Sequence, residues 1–333
     1  MTEITSSRKK ISRVLILVKE TYLEQVEASQ DRHQLEEIAR KAPGLENVAE
    51  SHAQHVSTLN AVRDFLIQEG VIVEVVNRRA PNIRELLALC DLVITVGGDG
   101  TFLTASHDID TAVPVLGVNS APVTSFGHFC LCAQSNFPAT WEQIKNGKLA
   151  AHKLLRLKLT LNGKVLPTLV LNEILVAHNQ PAGTSRYQIK KGSQSAAHKC
   201  SGLLVATPSG STGFLRSEGG QVLPITDRRF VFLERAPFLR IGETAELKSG
   251  LVGMAKLELV SQMQEGIIYV DGDHIQYPFP RGATLTVEAA EADLLAYIDP
   301  EIHTPFIKEG ERSKPTSGFW AFLGKYLQHI QHP

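Results

Sequence analysis

The chain has 333 residues, 43% of them hydrophobic, enough for two globular domains. Its formal charge is −1, so no overall field draws nucleic acid or an acidic membrane, and a bound polyanion must be met by local groups. No apolar run approaches the roughly 20 residues of a membrane span, and four cysteines (Cys90, Cys130, Cys132, Cys200) are too few and scattered for a disulfide framework.

Arg8, Lys9, Lys10 and Arg13 lead into Val14-Leu15-Ile16-Leu17-Val18, which reads as a short strand over 12–18. It is not a signal-peptide core, because no small-residue cleavage site follows, and Glu3 speaks against a mitochondrial presequence; the expected compartment is the cytoplasm. From Glu20 to about His52 the composition is charged and apolar-poor, predicting a loose helix or mobile loop. Val56, Leu59, Val62, Phe65 and Leu66 then share one helical face, and Gly70 stops that helix. A strand from Val71 to Val76, a helix from Ile83 to Cys90 and a strand from Leu92 to Val96 follow. Next come a glycine turn, a helix to about His107, and a strand from Pro114 ending at Asn119. Strands alternating with helices predict an open, mostly parallel α/β sheet over residues 1–150.

The glycine turn is Gly97-Gly98-Asp99-Gly100-Thr101, at the end of a β-branched run with the composition of a buried parallel strand. Its glycines let a phosphate approach main-chain N–H groups, and Asp99 is its one ionisable group, at the strand end where open α/β sheets build sites. The plainer alternative is a strand-to-helix turn with Asp99 as N-cap. Further on, His128, Cys130 and Cys132 share one face of a strand, but no fourth ligand stands at metal-binding spacing; buried thiols are expected, and no metal site.

After about Ala150 the texture changes. Leu155–Leu161, Val165–Val176, Tyr187–Lys191, Leu203–Ala206, Lys256–Val260, Ile267–Val270 and Ala283–Glu288 are short β-rich runs separated by turn residues, predicting a β-sandwich over 151–300. Asn172-Glu173 sets an amide and a carboxylate side by side in an apolar strand, a pairing best relieved at a strand end or bulge, where both can face a ligand. Thr207-Pro208-Ser209-Gly210-Ser211-Thr212-Gly213-Phe214 is dense in hydroxyls and close-approach backbone, suited to ribose or phosphate oxygens, with Phe214 as a stacking platform. In the last segment, 301–333, Lys314 to Gly318 reads as a linker, and Phe319, Trp320, Leu323, Tyr326, Leu327 and Ile330 fall at helical spacing, predicting a docking helix.

Gly-Gly-Asp-Gly-Thr, Asn-Glu and Thr-Pro-Ser-Gly-Ser-Thr-Gly-Phe, in this order and spacing, resemble the NAD kinase family. The resemblance runs from about Asp91 to Gly220 and continues to Val270-Asp271-Gly272. It implies an N-terminal α/β domain, a C-terminal β-sandwich, and transfer of the γ-phosphoryl of ATP (in some members polyphosphate), with Mg²⁺, to the 2′-hydroxyl of the adenosine ribose of NAD(H). It implies Asp99 as the group taking the hydroxyl proton, with Gly97, Gly98, Gly100, Thr101 and Asn119 around the phosphates. It assigns Asn172, Glu173, Lys199, Ser201, Ser209, Thr212, Gly213, Phe214 and Ser217 to the dinucleotide. It also implies a homodimer or homotetramer, with neither nucleic acid nor membrane as partner.

The family's usual Asp-Gly before the third motif is Ser201-Gly202 here, its tyrosine is Phe214, its alanine is Gly213, and its Asn-x-Gly-x-Leu-Gly-Phe-Leu segment is replaced from Asn119-Ser120 to Cys132. Val113 to Ser120, Gly127-His128 and the Ser201-Gly202 variant look like the branch that includes plant NADH kinase and the mitochondrial NAD kinases. A lipid kinase on the same glycine turn is a second reading, but it leaves Asn172-Glu173 and Thr207 to Phe214 without a purpose. A non-catalytic NAD(P) sensor, motivated by Ser201, is a third.

Overall fold

The computed structural model describes residues 11–109, 112–122, 126–239 and 246–311. Arg8, Lys9 and Lys10, the linker from Lys314 and the helix expected from Phe319 lie outside the described residues. The chain divides into two compact units: one runs to His152 and takes in Leu295–Asp299, and the other holds Lys153–Leu294 and the residues from Pro300.

In the first unit β1 (Arg13–Val18) is followed by α1 (Tyr22–Ser29), α2 (Arg32–Ala39) and α3 (Val48–Gln68). Then come β2 (Ile72–Asn77), α4 (Ile83–Leu87), β3 (Leu92–Gly97), α5 (Asp99–Ser106), β4 (Val115–Asn119), β5 (Cys130–Ala133), α6 (Phe137–Lys145) and β6 (His152–Leu154). β1 lies parallel to β2 and β3, and β4 parallel to β3 and β5. The central strands β3 and β4 are buried along their whole length, which is why they read as continuous apolar runs. Val62 and Leu66 of α3, with Phe137 and Trp141 of α6, share a core with Val14, Ile16, Ile94 and Val96. Edge strand β2 leaves Ile72 and Val75 exposed.

The stretch expected to be loose is instead two capped helices and the first turns of α3. Thr21 and Glu24 form a capping box on α1, and the Asp31 carboxylate accepts the Gln34 N–H at 3.0 Å on α2. α1 and α2 each bury one apolar residue, Val26 and Ile38, too little for a periodic signal.

The second unit contains β7 (Leu157–Leu161), β8 (Lys164–Val165), β9 (Glu173–His178), β10 (Ser185–Lys191), β11 (Gln194–Cys200) and β12 (Leu203–Ala206). After α7 (Phe214–Ser217) follow β13 (Phe230–Glu234), β14 (Ser249–Val252), β15 (Leu257–Ser261), β16 (Gly266–Val270), β17 (Ile275–Pro278) and β18 (Thr284–Ala289). They form two six-stranded antiparallel sheets, ordered β11-β10-β15-β18-β7-β8 and β14-β13-β12-β9-β16-β17. Leu159, Ile189, Leu259 and Val287 of one sheet share a core with Val176, Val205, Phe232 and Ile268 of the other, as the predicted sandwich requires.

Val165–Val176 is not one strand. Pro167 interrupts it, and the backbone from Leu171 to Glu173 turns its N–H groups to a carboxylate before β9 begins. β11 carried no apolar signal, yet pairs with β10 from Lys191↔Gln194 across a turn in which Gly192 has φ +60°. β13, β14 and β17 were also absent from the sequence reading.

β19 (Leu294–Tyr297) joins the first unit's sheet, parallel to β4, and α8 (Thr304–Glu311) follows. That sheet is ordered β2-β1-β3-β4-β19-β6, with β5 also on β4. β4 thus shares one edge between two strands: β19 beside Val115 and Leu116, β5 beside Gly117 to Asn119. A Cβ on Gly117 would lie 2.5 Å from the Phe129 carbonyl oxygen, so glycine there lets the chain entering β5 come this close.

Candidate active site

β3 delivers Gly97 to the carboxyl edge of its sheet, and Gly98, in extended backbone, caps α5. Asp99 is therefore the first residue of the helix rather than its N-cap. Its Oδ1 accepts the Phe129 N–H at 2.8 Å, and the His128 N–H also bonds the carboxylate. Burial raises the Asp99 carboxyl above its ordinary value, and the two amides act against that rise. The result is a half-buried carboxylate with enhanced proton affinity on a fixed backbone mount. Burial takes His128 down to about 4, so the imidazole beside this mount is neutral at pH 7.

The surrounding turn is packed to contact. A Cβ on Gly97 would lie 2.2 Å from Thr101 Oγ1, and one on Gly127 would lie 2.4 Å from Asn119 Nδ2. Asn119 Oδ1 accepts the Ala121 N–H at 3.0 Å, and the Ser120 N–H donates to the Gly97 carbonyl at 3.0 Å. The unit thus gathers all the predicted phosphate-turn residues, Gly97 to Thr101 and Asn119, at one strand edge. Arg78, which the sequence reading missed, donates from Nη1 to Thr101 Oγ1 at 3.5 Å. Cys130 and Cys132 are buried thiols on β5, both pushed up by burial. Among the described residues no three His, Cys, Asp or Glu side chains gather to hold a metal.

The second unit gathers another set. Ala206 pairs with Glu173 between β12 and β9, so the Thr207 turn leaves its strand beside Asn172. The Thr207 N–H and hydroxyl donate to the carbonyls of Asn172 and Leu171 at 2.9 and 2.5 Å. A Cβ on Gly210 would lie 2.2 Å from the Asn172 carbonyl oxygen, and one on Gly213 would lie 3.6 Å from Glu173 Oε2. Asp271, between β16 and β17, accepts the N–H groups of Leu171, Asn172 and Glu173 at 2.9, 2.7 and 3.0 Å. Asp271 belonged to the quoted motif but had no assigned role; three backbone donors on one carboxylate make it the anchor of the Asn172-Glu173 corner.

Glu173 Oε2 and Ser209 Oγ are both buried without a hydrogen-bond partner, so this corner holds polar capacity the protein leaves unused. Burial first and Asp271 second push Glu173 up to about 8, making it a hydrogen-bond donor at neutral pH. Phe214 is half exposed, and the Arg235 guanidinium lies 4.6 Å from its ring centroid, so one face is taken. Arg235 also donates to Glu218 at 3.1 Å and to the Ser201 carbonyl at 3.5 Å, linking Ser201 to Phe214. The Thr212 and Ser217 hydroxyls turn back onto the carbonyls of Ser209 and Gly213, both at 3.4 Å. Lys199 lies over the Phe238 ring, its ammonium 4.0 Å from the centroid, and among the described residues it forms no hydrogen bond or ion pair with Asn172 or Glu173.

The ATP-NAD kinase N-terminal domain family matches residues 13–149. A probable NADH kinase of Oryza sativa is 35% identical over 269 residues, covering 74% of this chain and 82% of the relative. An NAD kinase from Archaeoglobus fulgidus, solved with ATP, superposes with a TM-score of 0.65 at 22% identity over 90% of this chain and 98% of its own. Yeast NADH kinase, solved with NADH, gives 0.65 at 15% identity over 93% and 91%.

Two outcomes follow from this packing. Gly97→Ala should cost about 1–3 kcal/mol by overpacking, because its methyl meets Thr101 Oγ1 and, at 2.7 Å, Thr101 Cβ. Gly100→Ala meets only Arg78 Nη1 at 3.9 Å inside a helix and should keep or raise Tm; equal losses in thermal melts would contradict the packing account. For Glu173, the unfolded carboxyl releases its proton near 4.5 while the folded one holds it to about 8. Stability therefore falls as pH rises between those values. The Tm of Glu173→Gln relative to the parent should climb from pH 5 to 8 and flatten above; a difference independent of pH would overturn the burial assignment.

Proposed function

The protein belongs to the NAD kinase family and phosphorylates NAD(H) at the expense of ATP, and we propose that the γ-phosphoryl goes to the 2′-hydroxyl of the adenosine ribose, giving NADP(H). The observation that carries the reading is the Asp99 carboxylate, mounted on the Phe129 amide at the start of α5 and raised above its ordinary value by burial. Phosphoryl transfer asks for positioning, for stabilisation of phosphate charge, and for one group to orient and take the hydroxyl proton. Asp99 takes that proton, and a raised carboxyl is a better acceptor than an ordinary one.

The glycine turn and the first N–H groups of α5 face the phosphates, where a helix N-terminus favours negative charge. Mg²⁺ enters with ATP as part of the substrate and carries much of the phosphate charge. In the second unit Asn172, Glu173 and Ser209 hold the dinucleotide; the unpartnered Glu173 Oε2 and Ser209 Oγ support this role. Phe214 offers its free ring face to the adenine, and Thr212, Gly213, Ser217, Ser201 and Lys199 complete the assignment carried from the family. The enzyme works as a homodimer or homotetramer in the cytoplasm, a reducing compartment that suits four buried free thiols.

Purified protein supplied with Mg-ATP and either NAD or NADH should form NADP or NADPH carrying the new phosphate on the 2′-oxygen, read by chromatography and phosphorus NMR. No phosphorylated product from either dinucleotide, or a phosphate on another oxygen, would overturn the reading.

A further inference from the structure

Three adjacent parallel strands finish on the same edge of the first unit's sheet. Val18 ends β1 and is paired with Asn77, the end of β2, and with Val96 of β3. One step beyond that row lie Lys19, Arg78 and the Gly97-Gly98 turn, and the Arg78 N–H is fixed on the Val18 carbonyl at 2.8 Å. The Arg78 side chain leans over the start of α5: Nη1 is 3.5 Å from Thr101 Oγ1 and 3.9 Å from the place a Gly100 Cβ would occupy.

Both cationic side chains are half-buried. Burial, then the Arg78 charge, lowers the Lys19 ammonium from its ordinary value; burial, then Arg79, lowers Arg78. Among the described residues neither forms an ion pair with a carboxylate. Glu24, the acidic side chain acting on Lys19, already accepts the Thr21 N–H and hydroxyl at 2.6 and 2.9 Å as the cap of α1. His55 lies close enough to feel Lys19 and is held down to about 4, so it adds no charge at pH 7. Two like charges drawn partly out of water with no carboxylate in ion-pair contact are unfavourable. Among the described residues the one carboxylate acting on Lys19, Glu24, is engaged as the cap of α1, while the adjoining helix N-terminus presents further donors to an anion.

We propose that Lys19 and Arg78 bind the phosphate chain of the triphosphate donor, clamping it against the Gly98 to Thr101 turn. The assignment rests on the kinase reading above. Arg78 spends one N–H on Thr101 and keeps the rest of its planar fork for phosphate oxygens. Recognition at this clamp is of the polyphosphate and not of a base, so inorganic tripolyphosphate competes with ATP and leaves the dinucleotide site alone.

The test compares Lys19→Ala, Arg78→Ala and Arg78→Lys with the parent by initial rates, and by calorimetric titration with tripolyphosphate. Each alanine variant should raise KM for ATP at least tenfold and weaken tripolyphosphate binding in step, with KM for NAD(H) changed less than twofold; Arg78→Lys should recover part of the loss. KM for ATP should also climb more steeply with salt in the parent than in Arg78→Ala, a comparison that survives partial loss of stability. An unchanged KM for ATP in both alanine variants, or an equal rise for NAD(H), would overturn the clamp while a parent that still makes NADP(H) leaves the kinase reading standing. A parent that neither binds tripolyphosphate nor phosphorylates NAD(H) would sink both.

Discussion

The hydrogen bond from the Phe129 amide to the Asp99 carboxylate is the constraint on which the first unit's site depends. It ties the first residue of α5 to the segment entering β5, and it forms only if two backbones come unusually close. Gly117 permits the approach of Phe129, Gly97 permits the approach of Thr101, and Gly127 makes room for Asn119; a Cβ at any of these would fall inside contact distance. The position of the carboxylate is thus set by a main-chain amide and by close approaches that glycines permit. Burial then raises its proton affinity without a dedicated charge partner.

The second unit solves a related problem differently. Asp271 accepts three consecutive amides, spending one carboxylate to fix the corner where Asn172 and Glu173 sit. Burial, with this carboxylate as the smaller cause, keeps Glu173 protonated well above its ordinary range. Glu173 and Ser209 retain unmatched polar atoms, a local deficit of the kind that stable cores avoid and binding surfaces keep.

Much of this was legible in the residues. The β-branched run ending in Gly-Gly-Asp-Gly-Thr specified a buried strand, a tight turn and a helix, and each is present. Asn172-Glu173 stands at the start of β9, as an amide and an acid in an apolar run demanded. Less legible were elements whose signal is relational. β11 is held by its hairpin with β10 rather than by apolar content, and α1 and α2 rest on caps and one buried residue each. β19 is short and becomes a strand only by pairing with β4, nearly two hundred residues earlier in sequence. Lys19 and Arg78 escaped notice because isolated cations in a nearly neutral chain carry no pattern; their meaning comes from strand register, which sets them beside one turn. The triple-amide role of Asp271 likewise follows from a fold contact spanning about a hundred positions.

The most direct test of the central claim is Asp99→Asn, because the amide oxygen can still accept the Phe129 N–H while the side chain can no longer take a proton. Single-turnover phosphorylation should fall by at least ~10², the lower end of what a positioned general base contributes, with NAD(H) affinity kept within about twofold. A phosphorylation rate near that of the parent, with the dinucleotide bound equally well, would show that Asp99 is not the base and that its amide mount serves only the fold.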